Sequence, residues 1–538
     1  MTRIPRPWRA LVHTLTMRAS WVRLYLFLES LSMSFILKKF SVVSETQRQP
    51  ALRRILSWGL LGLAAMALTP ARAAPLPKLA ALAHSGAIVT ALVTDLDNGQ
   101  VIASLNPRQR VTPASLTKLV VTAAAYSHWH THHTFKTRLL ATGPISDGHL
   151  RGDLILLGDG DPSLDSADLW TLAAQLKGAG ITAVDGNLVV APAPFGLIAC
   201  ETQDRCTALD HSDTAYNAEV SSIGINYGNW CVSLTPTQPG RPARVGACHS
   251  VRLPIPVIGT ITTVAANRRP TYTIERRTSA DGDSLHVSGD VPLSPPINFH
   301  RAMSNPALGT GLTLAEMLRD LGTSLRGHVV LGLPSAAAAA TQVAMVESAA
   351  LRVHLDNMLR FSNNYIADVL TLDLASDENR ANPPTSLSQA GHQLADFVAV
   401  SNHRRGQQAS LTPTLDSGSG LTPTNLLSAQ DLVNLLTNMY HDPGRFSVFY
   451  GGLEVPRYSP SRSLHLGNAD WLDRVALKTG TLSVPHSAFG ISGYLRKKTG
   501  GWMAFAMIVN GGGKNQHIPR YKALEAARTD LQGILATY

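Results

Sequence analysis

An apolar run at 55–68 decides where this chain folds and how much of it is left to fold. Arg53 and Arg54 precede the run, and Pro70 followed by Ala71-Arg72-Ala73 closes it. A basic flank, a short apolar stretch and a small-x-small tripeptide form a secretory signal, and the run is short for a membrane span. The sequence predicts a leader at 1–73, with the signal peptide at about 51–73 and cleavage after Ala73. The preceding fifty residues are either a long basic region or lie ahead of a later start such as Met33. A second apolar patch at 21–40 carries Arg23 and Glu29 and makes a poorer span. Arg53-Arg54 lacks the fuller twin-arginine context, which favours the general export route. The expected location is periplasmic, with contact to membrane only through the export signal.

Charge divides at the same place. Of the formal net +10, the leader holds eleven Lys and Arg against Glu29 and Glu45. The other 465 residues carry 36 basic and 35 acidic side chains. The basic balance therefore belongs to the leader, and no nucleic-acid partner is inferred. A chain of this length exceeds one hydrophobic core, so two or three domains are expected. All four cysteines, Cys200, Cys206, Cys231 and Cys248, fall within 49 residues. Outside the cytosol such a set reads as disulfides, and no spacing resembles paired Cys-x-x-Cys zinc ligands. Three pairings are possible; Cys200–Cys206 and Cys231–Cys248 close the shortest loops.

After the leader, 87–95 and 101–104 read as strands joined by the turn Asp97-Asn98-Gly99. Pro113 just ahead of Ser115 suits a helix start, and the apolar residues from Leu119 to Ala125 read as a buried helix. Ser115 and Lys118 then share a face, three residues apart. An amine held partly neutral can take the proton of a hydroxyl and make it a nucleophile. No other lysine in the chain has a serine three residues before it. The helix ends among His128, His130, His132 and His133. Imidazoles suit a helix C-terminus, and no carboxylate or cysteine nearby in sequence completes a metal site, so no metal is expected. The stretch 137–345 is strand-rich, with helices near 169–177 and 313–321, and carries no catalytic constellation.

Two further patterns supply partners for Ser115. Ser362-Asn363-Asn364 falls between two apolar helices, where Ser362 can relay a proton and the Asn364 amide can bond a substrate carbonyl and a lysine. Lys478-Thr479-Gly480-Thr481 follows Val475 and Leu477 on a strand. There Lys478 and Thr479 can hold a carboxylate, Gly480 admits a ligand backbone, and the N–H of Thr481 can join that of Ser115 as an oxyanion hole. Ser104-Leu105-Asn106 and Lys498-Thr499-Gly500 repeat the two patterns, but the first sits at a strand end and the second reads as an exposed hairpin turn.

Ser115-x-x-Lys118, Ser362-x-Asn364 and Lys478-Thr479-Gly480, in this order, resemble the active-site triplet of penicillin-binding proteins and serine β-lactamases. The long gap between the first two is similar to the class C low-molecular-mass penicillin-binding proteins, the D-alanyl-D-alanine carboxypeptidase/endopeptidases. The stretches Gly158-Asp159-Gly160-Asp161-Pro162, Asp416-Ser417-Gly418-Ser419-Gly420 and Tyr227-Gly228-Asn229-Trp230-Cys231 also resemble that family. The resemblance spans about 80–538. It implies an α/β (α+β) fold: a penicillin-binding protein/serine β-lactamase-like transpeptidase domain at 75–136 and 346–538, carrying two nested, strand-rich inserted domains. The outer insert would be 137–160 and 249–345, and the nested one 161–248 with the cysteines. It further implies acyl transfer through Ser115 on peptidoglycan stem peptides, without a cofactor, and inhibition by β-lactam antibiotics. Two departures stand out. The run 451–457 replaces a Leu-Pro-x-x-Gly-x-Asp-Gly-Thr-Leu-like segment, and Asn363 stands where aspartate is frequent. The rival readings are a serine esterase or D-aminopeptidase on the same fold, and a non-catalytic cell-wall-binding protein.

Overall fold

The computed structural model describes residues 75–538 except 197, 199, 201–205, 207–214, 249–251, 333–338, 406–412 and 514. The expected leader and its cleavage site lie outside the described residues, as does most of the alanine-rich 335–340 stretch. The chain opens with α1 (Pro77–His84) and a hairpin of β1 (Ile88–Asp95) and β2 (Val101–Leu105), which turns through Gly99 at φ +74°. A single 3-10 turn, Ala114–Leu116, then runs into α2 (Thr117–His128).

From here the chain departs into a long insert and returns beside its exit. Strand β3 (Lys136–Ala141) leads out, followed by β4 (Leu154–Asp159), α3 (Ser166–Gly178) and β5 (Leu188–Ala193). Next come β6 (Asn229–Thr235), β7 (Arg244–Ala247), β8 (Ile297–Ala302), α4 (Pro306–Asp320), β9 (Val329–Leu331) and β10 (Thr341–Glu347). Strand β10 pairs antiparallel with β3, which closes the insert at its base.

The nested range 161–248 does not separate as the sequence reading drew it. Strand β5 pairs in parallel with β4 through the crossover helix α3, in a sheet ordered β9-β5-β4-β3-β10. Strand β6 pairs with β7 on one side and β8 on the other. One core serves both sets, since Leu154, Leu169, Val190, Trp230, Val232 and Leu314 cluster together. The physical reason is the apolar β4-α3-β5 unit: a parallel pair with its covering helix buries all three elements and cannot be split between domains. The structure joins Cys200 to Cys206 and Cys231 to Cys248, the second bond tying β6 to the end of β7.

After the insert come α5 (Leu351–Phe361), α6 (Asn364–Glu378), α7 (Leu387–His403) and α8 (Ala429–Tyr440). Strands β11 (Val475–Leu482), β12 (Ala488–Arg496) and β13 (Trp502–Asn510) and helix α9 (Arg520–Thr537) finish the fold. The three strands join the first hairpin in an antiparallel sheet ordered β2-β1-β13-β12-β11. Both faces of this sheet are covered. Met503, Phe505, Met507 and Val509 pack with α1 and α9, while Ala504, Ala506 and Ile508 pack with the helices that include α2 and α8. Burial of such side chains contributes about 1.5–3 kcal/mol each. The same period of two along β11 turns Val475 and Leu477 toward α9 and Ala476 toward α2. Lys478 falls on the α2 side by that alternation, on the edge strand of the sheet. No helix among the described residues is long and apolar enough to cross a membrane.

Candidate active site

Three chain segments meet where the edge of β11 passes the start of α2. Ala114 has φ +48°, a left-handed conformation that costs a residue with a Cβ about 1 kcal/mol. Close packing on both sides holds the turn there. A Cβ on Gly420 would lie 2.0 Å from the Ala114 carbonyl oxygen. A Cβ on Gly480 would lie 2.7 Å from the Pro113 oxygen and 3.2 Å from the Ser115 nitrogen. The two glycines thus let other backbone clamp the turn that presents Ser115, which stays half-buried.

The Lys118 ammonium group lies 3.1 Å from Ser115 Oγ, 2.8 Å from Asn364 Oδ1 and 2.5 Å from the Ser419 carbonyl oxygen. Its side chain is fully buried. Two of these neighbours, the amide oxygen and the carbonyl, only accept hydrogen bonds. A neutral amine has two N–H bonds and one lone pair. As an ammonium Lys118 donates to Ser115 Oγ; as a neutral amine donating to Asn364 and Ser419 it would have its lone pair left for the Ser115 hydroxyl. The Asn364 amide orientation is fixed from its other end, where Nδ2 donates to the Tyr216 carbonyl of the insert at 3.2 Å.

Ser362 ends α5 at φ +53°, and its hydroxyl accepts from Lys478 Nζ at 3.0 Å. Lys478 also donates to the Thr479 carbonyl at 2.8 Å. Asn363, the departure from aspartate, caps α6 by accepting the Ile366 N–H at 3.0 Å. That is work either side chain does, so the substitution costs little. Burial pushes the Lys478 amine down to about 8; the positive Arg520 adds to the fall and Glu454 opposes it. The bonds place Lys478 on Ser362 and Lys118 on Ser115. Thr479 is half-buried and Thr481 exposed on the same edge strand. Glu454, from the divergent 451–457 run, pairs its backbone with Leu477 at 2.8 and 2.9 Å and so forms the wall beside Lys478.

Sequence reasoning missed the acceptor role of Ser419, and with it Asp368, whose Oδ1 accepts the Ser419 N–H at 2.7 Å. The repeated patterns lie elsewhere. Asn106 Nδ2 donates to Val89 O at 3.2 Å, and Lys498 Nζ donates to Ala536 O at 3.1 Å. The histidine cluster does meet a carboxylate that sequence distance hid. His128 lies 3.4 Å from Asp377, which also accepts from Trp129 Nε1 at 2.9 Å. His133 stacks on Trp129 with ring centroids 5.1 Å apart. Among the described residues no group of three or more His, Cys, Asp or Glu could hold a metal ion.

Comparison with known proteins places this geometry. A D-alanyl-D-alanine carboxypeptidase of Actinomadura sp. (strain R39) is 28% identical over 453 residues, spanning 80% of this chain and 79% of the relative. D-alanyl-D-alanine carboxypeptidase DacB of Haemophilus influenzae is 24% identical over 434 residues, spanning 79% of this chain and 86% of the relative. The crystal structure of penicillin binding protein 4 (dacB) from H. influenzae superposes with a TM-score of 0.67 at 21% identity, covering 85% of this chain and 99% of that one. A second structure of it, in complex with a β-lactam, superposes at 0.64. These likenesses show the penicillin-recognising fold. Residues 76–531, which contain the whole Ser115–Lys118–Ser362–Lys478 constellation, match the D-Ala-D-Ala carboxypeptidase 3 (S13) family, and the chain belongs to it.

Proposed function

We propose that the chain is a serine-type D-alanyl-D-alanine carboxypeptidase, endopeptidase or both, acting on peptidoglycan stem peptides through an acyl-Ser115 intermediate. The observation that carries this reading is the enclosed Lys118 amine 3.1 Å from Ser115 Oγ, with Asn364 Oδ1 and the Ser419 carbonyl, both pure acceptors, also within hydrogen-bond reach. Ser115 Oγ attacks the carbonyl between two D-amino acids while its proton passes to Lys118 Nζ. The carbonyl oxygen becomes an oxyanion held by the N–H groups of Ser115 and Thr481. The C–N bond then breaks as Ser362 relays the proton taken up by Lys118 to the departing amine, which leaves Lys118 neutral again. Water attacks the acyl-serine and gives a proton to Lys118, which returns it to Ser115 Oγ as the ester C–O bond breaks and the shortened peptide leaves. Asn364 orients the substrate amide, and Lys478 with Thr479 anchors the carboxylate.

β-Lactams present a carboxylate and a strained amide in the same relation, so they acylate Ser115 and leave slowly. The apolar run behind Arg53-Arg54 and the Ala71-Arg72-Ala73 tripeptide support export, cleavage after Ala73 and a periplasmic location, where this substrate lies. Two disulfides in the insert fit an oxidising compartment. Incubating the mature protein with purified wall fragments tests the reading by mass spectrometry. Loss of one alanine from pentapeptide stems marks a carboxypeptidase, and conversion of crosslinked dimers to monomers an endopeptidase. Unchanged stems and dimers beside hydrolysed small D-amino-acid esters would reject both in favour of an esterase or D-aminopeptidase.

A further inference from the structure

The proton acceptor Lys118 is held by the nucleophile's neighbour Asn364 and by a main-chain carbonyl, and the carbonyl raises the question of what holds it. Ser419 sits between Gly418 and Gly420 in a loop packed without slack. A Cβ on Gly418 would fall 2.0 Å from Thr371 Oγ1 and 2.8 Å from the Ala367 oxygen. The loop therefore lies directly on α6. From that helix Asp368, fully buried, accepts the Ser419 N–H at 2.7 Å. Asp368 is four residues after Asn364, so the two project from one face of α6, one turn apart. Helix α6 thus grips the Lys118 amine twice, directly through Asn364 Oδ1 and through the Ser419 backbone that Asp368 pins.

We propose that Asp368 is a positioning residue for the reaction: it fixes the Ser419 carbonyl that takes one N–H of Lys118, and so aims the amine's lone pair at Ser115. The inference rests on the reading of Lys118 as general base. Two consequences, read as acylation against affinity, separate it from a purely structural role. First, the pinned carbonyl must stay within hydrogen-bond reach of Nζ, so moving the carboxylate by one methylene misdirects the lone pair. Second, the Ser419 N–H needs only an acceptor in that place, so Asp368→Asn, whose amide oxygen can still accept it, should keep the geometry that Asp368→Glu disturbs.

The experiment measures the second-order rate of labelling by a fluorescent penicillin, and non-covalent penicillin affinity, on wild type, Asp368→Asn and Asp368→Glu. Asp368→Asn, which keeps the acceptor, should label close to the wild-type rate. Asp368→Glu should slow labelling about tenfold, a loss confined to acylation and not shared by non-covalent penicillin affinity. A folded Asp368→Glu that labels at the wild-type rate, or that loses affinity as much as labelling, overturns the proposal. If that variant does not fold, Asp368→Ala takes its place with the same two outcomes. Wild type that takes no label at all refutes the general-base reading itself, a result distinct from either of these.

Discussion

Lys478 supplies a prediction whose size follows from its surroundings. Its amine is fully buried against the α5–α6 junction and titrates at about 8 because burial penalises the ammonium form. The sign is that of a depressed base: charged below 8, neutral above it. If this ammonium anchors the substrate carboxylate, affinity follows the charged fraction. That fraction is about 90% at pH 7 and about 10% at pH 9, a loss of about tenfold or about 1.4 kcal/mol. The carboxylate keeps its charge throughout, so the change belongs to the enzyme. Ser115→Ala removes acylation and leaves the binding step to be measured alone, by calorimetric titration with benzylpenicillin between pH 6.5 and 9.5. The expected curve is nearly flat to about pH 7 and falls with a midpoint near 8. Lys478→Arg, a cation across this range, should bind with no such fall. Affinity that stays level to pH 9.5 in the Lys478 protein would refute either the anchoring role or the effect of burial.

Two other outcomes follow from the packing. Gly480→Ala puts a Cβ 2.7 Å from the Pro113 oxygen, which is backbone and cannot swing aside, so β11 must part from the Ser115 turn. Penicillin labelling should fall by at least about tenfold, while the melting temperature drops by the equivalent of about 1–3 kcal/mol. Asp373 is buried on α6 with both carboxyl oxygens unpartnered, beside Gly160, and burial with the neighbouring Asp159, Asp377 and Asp161 raises its pKa well above 3.8. A raised acid costs stability as pH climbs above its unfolded value, so the penalty is absent in acid and present at neutrality. Asp373→Asn should therefore melt higher than wild type at pH 7.5, by about 1–2 kcal/mol, with the gain shrinking toward pH 4.

Much of the site was legible because its parts are local. Ser115 and Lys118 need only one helix to meet, and Ser362 and Asn364 need only one helix junction. Lys478 needs only the alternation of a strand. The hairpin at β1 and β2 and the apolar β12–β13 pair were readable for the same reason. What stayed hidden depends on tertiary approach. The acceptor at Ser419 is a backbone carbonyl, which any residue type offers, and its one trace was the pair of glycines beside it. Asp368 looks like an ordinary helix residue until a loop fifty-one positions later lands on it. Asp377 meets His128 across 249 positions, which is why the histidine cluster looked unaccompanied. The insert was misdivided because β4 and β5 are each short apolar runs, and their parallel pairing cannot be seen without the crossover helix between them.

The proposed chemistry turns on Ser115 as the nucleophile, activated by an amine that three separated segments enclose. Labelling the mature protein with penicillin, digesting it and locating the adduct by mass spectrometry tests that most directly. One penicilloyl group per chain should appear on the peptide containing Ser115, and none should appear in Ser115→Ala. An adduct on any other residue, or equal labelling of the two proteins, would contradict it.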